Sequence, residues 1–129
     1  MPFVRFMELS LYCPEYGYYE QQTDNIGQRG DFYTSVSTGQ LFGQLLAFQF
    51  AAWLEEIQTT NPPVPILSVT ECGAHDGKLA RDILVWLRSN RSRLFDTIEY
   101  RIEENSVRRQ QWQRETLKDF AHVRWPASQ

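Results

Sequence analysis

Glu71-Cys72-Gly73-Ala74-His75-Asp76-Gly77, ECGAHDG, lies between the apolar run ILSV at 66–69 and the helix-like pattern KLARDILVWL at 78–87. A strand, a glycine-bearing turn and a helix in that order read as one unit of a parallel α/β sheet. A ligand at the carboxyl end of such a strand meets the free N–H groups and the dipole of the following helix. Gly73 and Gly77 permit a tight turn and a close approach to that ligand. His75 stands where a middle glycine would suit a cofactor loop. On this pattern alone, an ordinary turn and a cofactor loop remain equally open.

The pattern alternates outward from this loop. ILSVTE at 66–71 predicts a strand, and 76–89 a helix with Leu79, Ile83, Trp86 and Leu87 on one face. TIEYRIEE at 97–104 alternates, with Ile98, Tyr100 and Ile102 inward. A more polar helix is expected over 105–119, and HVRW at 122–125 begins a third strand. The fold class is therefore α/β: β-α-β-α-β, the first half of a Rossmann-like, doubly wound sheet.

An N-terminal helical and loop extension, 1–62, precedes this unit, 63–129. Phe3, Phe6, Met7, Leu9 and Leu11 suit a short helix over 3–12, stopped by Pro14. Gly17-Tyr18-Tyr19 reads as a turn, and 21–39 as a polar loop with Gly27, Gly30 and Gly39. The clearest helix is 40–58, with Leu41, Phe42, Leu45, Leu46, Phe48, Phe50, Trp53, Leu54 and Ile57 as a broad apolar stripe. Ser37 or Thr38 is the expected cap, and Asn61-Pro62-Pro63 the stop. Trp53, Trp86 and Trp112 are expected to pack on their helices, and Tyr12, Tyr16, Tyr18 and Tyr19 to form an aromatic minicore under a loop.

Composition narrows the class. The 129 residues are 42% hydrophobic and 14% aromatic, enough for a core and against disorder. The net charge of −3 gives no bulk pull toward nucleic acid or an anionic membrane. Arg88, Arg91, Arg93, Arg101, Arg108, Arg109 and Arg114 gather in the second half and read as solvated helix faces. Cys13 and Cys72 are too few for a disulfide framework and read as reduced thiols. No run reaches the ~18 apolar residues of a membrane span. The start lacks a signal-peptide pattern, so the default location is cytoplasmic.

The chemistry-bearing residues sit at strand ends. Glu104 suits a ribose diol, whose two O–H donors match one carboxylate. Glu71 suits an amino group, or supports the loop. A full G-x-G-x-x-G is absent, which counts against a nicotinamide site. Glu104 follows Gly73 by 31 positions (104 − 73), longer than the ~20 of a dinucleotide fold. A different nucleotide-cofactor protein stays a minor alternative. Cys72 and His75 have C-x-x-H spacing without a second pair, so no metal site is expected. His75 has no visible nucleophile to serve, His122 reads as a strand-edge residue, and no catalytic residue is assigned.

Four blocks in one order resemble the N-terminal part of the MidA-like class I S-adenosylmethionine (SAM)-dependent methyltransferases. That family includes the mitochondrial complex I assembly protein-arginine methyltransferases. The first block is Phe6-Met7, Leu11-Tyr12, Pro14 and Gly17-Tyr18-Tyr19. The second is Gly30-Asp31-Phe32 with Thr34-Ser35, then Phe42-Gly43. The third is Glu71, Gly73, Gly77, Leu79 and Asp82-Ile83-Leu84. The fourth is Tyr100, Ile102, Glu104 and Ser106, then Gln110 or Gln111.

The resemblance implies methyl transfer from SAM to a nucleophile such as a protein arginine, in a substrate that could be a respiratory-complex subunit. Gly73, Ala74 and Gly77 would line the methionine moiety with Glu71 at the base, and Glu104 would bind the ribose. Gly30, Asp31, Phe32, Thr34 and Ser35 would cover the cofactor from the extension. The sequence departs from the family at His75, and at Val36-Ser37, where Pro-Glu is usual. It stops at Gln129, around the third strand, so a fragment is expected: inactive alone, with an exposed apolar sheet edge able to form a homodimer. A non-catalytic binding or assembly module that keeps the fold is the alternative function.

Overall fold

The computed structural model describes residues 1–21, 33–60 and 66–126. Helix α1 spans Phe3–Tyr12, and short 3-10 turns follow at Tyr18–Glu20 and Ser35–Thr38. Then come α2 (Leu41–Thr60), β1 (Leu67–Cys72), α3 (Lys78–Asn90), α4 (Ser92–Phe95), β2 (Ile98–Glu103), α5 (Val107–Thr116) and β3 (Val123–Arg124). The expected division at 62/63 lies outside the described residues.

The three strands are parallel in the order β1-β2-β3, with β2 central. Leu67 pairs with Ile98, Val69 with Tyr100 and Glu71 with Ile102, so these share one face of the sheet. Ile98, Tyr100 and Ile102 are buried there with Ile83, Leu84 and Leu87 of α3 and with Leu117 and Val123. The other face carries Ser68, Thr70, Cys72, Arg101 and Glu103, all exposed, and half-buried Glu99. Parallel sheets are commonly covered on both faces. The polar alternation here matches a sheet with one solvated face, where Glu99 lies within ion-pair reach of Arg101 and Arg124.

A stripe of small residues sets the α2–α3 packing. Gly43, Ala47 and Ala51 are buried at four-residue spacing, with Leu54 continuing the line. A Cβ at Gly43 would stand 2.7 Å from the Asp82 Cβ, so only glycine allows this crossing. The opposite side of α2 is bare: Leu41, Leu45, Phe48, Trp53 and Ile57 are exposed. Trp53 is thus not the packing residue the sequence suggested; it is 54% exposed, beside the Phe50 ring. Trp86 packs against the core as expected and meets Phe48 edge-on.

The exposed apolar surface expected along the sheet edge lies instead on α2 and on α1, where Phe3, Val4, Phe6 and Met7 are exposed. Edge strand β1 shows Ser68, Thr70 and Cys72 to solvent. Two further details differ from expectation. Thr38 does not act as the α2 cap; its hydroxyl donates to the Ser35 carbonyl within its own 3-10 turn. The one-turn helix α4, which buries Leu94 and Phe95, is too short to leave a periodic signal.

Candidate functional site

The ECGAHDG loop begins where the β1–β2 ladder ends. The Gly73 N–H donates to the Glu103 carbonyl at 2.9 Å. Gly73 has φ +72°, and a Cβ there would meet nothing within 4 Å. Its backbone asks for glycine, and the space over it is open. Ala74 is buried beneath the turn, which closes through the Gly77 N–H and the Ala74 carbonyl at 2.8 Å. Gly77 is constrained twice: φ is +81°, and an added Cβ would lie 3.2 Å from Leu117 Cδ1. There the start of α3 presses on α5.

His75 has φ 49°, a left-handed conformation that a glycine adopts freely and that histidine tolerates better than most residues. Its ring meets the Trp112 ring edge-on at 5.9 Å, and its side chain is 16% exposed. Asp76 accepts from the Lys78 backbone N–H at 3.1 Å, and His75 Nδ1 lies 3.6 Å from the same carboxylate oxygen. Burial opposes the charged form of Asp76, but the bonds from His75 and Lys78 prevail and hold its carboxyl below the usual range.

The two strand-end acids have different surroundings. Glu71 is half-buried and accepts from the Tyr100 hydroxyl at 2.8 Å. Burial pushes its carboxyl above the ordinary value, against the pull of the Tyr100 bond. Burial and the Glu71 charge together push the Tyr100 phenol up. Glu104 follows β2 and is only 8% exposed. One of its oxygens accepts from the Ser106 N–H at 3.0 Å, the other from Gln113 Nε2 at 3.1 Å. Ser106 also caps α5, its Oγ accepting from the Arg109 N–H.

Gln113 joins the two strand ends. It is wholly buried, and its Nε2 also donates to the His75 carbonyl at 3.0 Å. Its Oε1 accepts from Trp125 Nε1 at 2.9 Å. Beside it, Arg109 is 8% exposed with its guanidinium 4.3 Å over the Tyr19 ring. The Arg109 Nε is buried without a hydrogen-bond partner among the described residues. Tyr12 stacks near Tyr19, and its phenol is pushed up by burial, then by the charge of Glu104. The extension thus reaches the surroundings of Glu104 through Tyr12 and Tyr19. Tyr16 stays exposed, outside that aromatic cluster.

Glu71, Gly73, Ala74 and Gly77 therefore share one turn, and Glu104 is tied to it through Gln113. Thr34 and Ser35 are exposed at the 3-10 turn before α2, and among the described residues no hydrogen bond links them to the loop or to Glu104. Gly30, Asp31 and Phe32 lie outside the described residues. Among the described residues no group of three or more His, Cys, Asp or Glu could hold a metal ion. Arg109, expected on a solvated helix face, is instead buried beside Tyr19, and Gln113 gave no signal in the sequence. Gln110, considered there, uses its side chain on the Glu104 backbone carbonyl instead.

These residues fit a ligand with an amino-acid end and a ribose end. Gly73 leaves open space, and each Glu104 oxygen accepts from one protein donor, leaving acceptor capacity for a diol.

A family model described as "Putative S-adenosyl-L-methionine-dependent methyltransferase" matches residues 45–129. The mitochondrial protein arginine methyltransferase NDUFAF7 homolog of Drosophila melanogaster is 36% identical over 85 residues, 65% of this chain and 18% of that protein. Its Mus musculus counterpart is 36% identical over 80 residues, 61% of this chain and 17% of that protein. A crystal structure of an uncharacterized ACR protein from Burkholderia thailandensis superimposes with a TM-score of 0.67 and 33% identity, covering 100% of this chain and 31% of that one. The chain thus spans under a fifth of the two curated relatives.

Proposed function

The chain belongs to this S-adenosyl-L-methionine-dependent methyltransferase family, and from that premise we propose that it forms the cofactor-binding part of a methyltransferase acting on a protein side chain. The carrying observation is the pairing of an open, positive-φ turn at Gly73 with a buried, pre-oriented carboxylate at Glu104.

In this reading Gly73, Ala74 and Gly77 surround the methionine end of SAM. Glu104 accepts from the ribose hydroxyls. Glu71, held by Tyr100, supports the base of the turn. When bound, SAM supplies an electrophilic methyl group on a sulfonium. The protein's task is then to align that methyl with a nucleophile and to exclude water. Residues 1–62 serve as a cover, and Arg109 against Tyr19 supports that role. Gly30, Asp31, Phe32, Thr34 and Ser35 would belong to the same cover.

The acceptor we propose is a protein arginine, as in the names of the relatives; the resemblance of the sequence blocks adds a respiratory-complex subunit as one candidate substrate. Two free cysteines suit a reducing compartment, the cytoplasm being the default. Among the described residues no helix is long and apolar enough to cross a membrane. A homodimer through the β1 edge is a further proposal, to be read by sedimentation equilibrium.

The rival reading, a non-catalytic module, requires His75, which stands in place of a middle glycine, to obstruct the cofactor. The imidazole leans on Trp112, and the space over Gly73 is open, which supports cofactor entry instead. Titration calorimetry with SAM tests the proposal. Saturable heat that Glu104→Ala abolishes is the expected result; no heat at millimolar SAM sinks it. His75→Gly should then change affinity little.

A further inference from the structure

Gln113 does something for this site that neither the family match nor the strand-end motifs assign. We infer that it is a positioning residue, locking the turn after β1 and the carboxylate after β2 into one unit. The inference rests on the cofactor reading above.

The orientation of its amide follows from its neighbours. The Trp125 indole nitrogen can only donate, so it must face the Gln113 oxygen. The His75 carbonyl and the Glu104 carboxylate can accept, and both face the nitrogen. Both N–H donors and one of the two oxygen lone pairs are thereby used, in a side chain with no solvent exposure. Flipping the amide would oppose donor to donor and acceptor to acceptor. Its partners lie 38, 9 and 12 residues away in sequence, so one side chain sets the spacing of three separate segments.

The consequence is specific to ligand binding. The Ser106 N–H fixes one Glu104 oxygen, and Gln113 fixes the other. A carboxylate held at both oxygens cannot rotate, so its remaining lone pairs keep one direction. The same amide holds the loop at His75, beside the Gly73 opening. The ribose end and the methionine end of one ligand are thus kept at a fixed separation.

The test is calorimetric binding of S-adenosylhomocysteine to the protein, to Gln113→Met, to Glu104→Gln and to the double variant. Gln113→Met should weaken binding about 10- to 100-fold, the equivalent of one hydrogen bond to a charged group. In the double variant, binding should fall no more than about threefold below the weaker single variant, because both changes act on one carboxylate. Losses that multiply, or a Gln113→Met affinity within about twofold of the parent, overturn the inference. Should Gln113→Met not fold, Trp125→Phe removes the donor to the amide oxygen from a half-buried position. It should weaken binding about three- to tenfold; unchanged binding overturns the inference.

If the parent protein binds no S-adenosylhomocysteine, the cofactor reading fails by itself. Gln113 is then judged by amide hydrogen exchange. Gln113→Met, or Trp125→Phe, should speed exchange at Gly73 and Gly77 while the β2 amides keep theirs. Unchanged exchange at both glycines overturns the positioning role.

Discussion

Helices α1 and α3 both carry apolar residues at helical spacing, yet they end up differently. None of the ten residues of α1 is buried, whereas α3 buries Ala80, Asp82, Ile83, Leu84 and Leu87. Phe3, Val4, Phe6 and Met7 face outward. Periodicity names the face a helix offers; only tertiary partners decide whether that face is covered. α3 packs against α2 and shares the buried core with the strands, while α1 touches the rest chiefly through the aromatic cluster at its carboxyl end.

The contrast can be broken most directly in the two helices themselves. Leu84→Ala should cost about 2–5 kcal/mol in urea unfolding, the range for an emptied core site. Phe3→Ala should stay within about 0.5 kcal/mol. Comparable losses would show α1 to be packed after all.

The two glycines of the loop sharpen the comparison within the site. Gly77→Ala meets both an unfavourable φ and the Leu117 side chain, and should cost about 2–3 kcal/mol. Gly73→Ala meets only the φ and should cost about 1–2 kcal/mol. Its larger effect should be on SAM affinity, since the new methyl points into the open space. Ser106→Ala removes the α5 cap and should cost about 1 kcal/mol, read by thermal unfolding.

Smaller still is the tether of the extension. Tyr19→Leu should cost about 0.5–1 kcal/mol, the worth of its contact with Arg109. Its readout is faster proteolytic cleavage between α1 and α2, with the sheet unaffected.

The finest effect is a tilt of stability with pH, with opposite signs in two nearby carboxylates. Asp76 has its folded value lowered, so it stabilises above about 3.8 and that contribution is lost as pH falls below it. Glu71 has its folded value raised, so its contribution is full below about 4.5 and is lost as pH rises through the folded value. Asp76→Asn should flatten the acid side of a stability–pH curve, and Glu71→Gln the neutral side. Denaturant midpoints across the acid-to-neutral range check both.

Much of this arrangement was legible in the residues. The alternation in TIEYRIEE gave both the buried face of β2 and, through Glu99, Arg101 and Glu103, its solvated one. Glu71 and Glu104 were readable as strand-end acids because strand, turn and helix follow one another directly. Gln113 was not, because α5 is polar along its length and offers no stripe that marks an inward residue. Its partners are set by tertiary packing rather than by local spacing. Trp53 misled for a related reason: apolar character at helical spacing says nothing of which turns of α2 meet α3.

The grip of Gln113 on position 75 runs through the main-chain carbonyl, which every amino acid possesses. The side chain there can therefore change while the bond that anchors the turn is inherited intact. A histidine could replace a glycine at little structural penalty, bounded by the left-handed φ and by room beside Trp112. Position 75 is thus open to drift, whereas positions 113 and 125, whose contacts are made by side chains, should resist it.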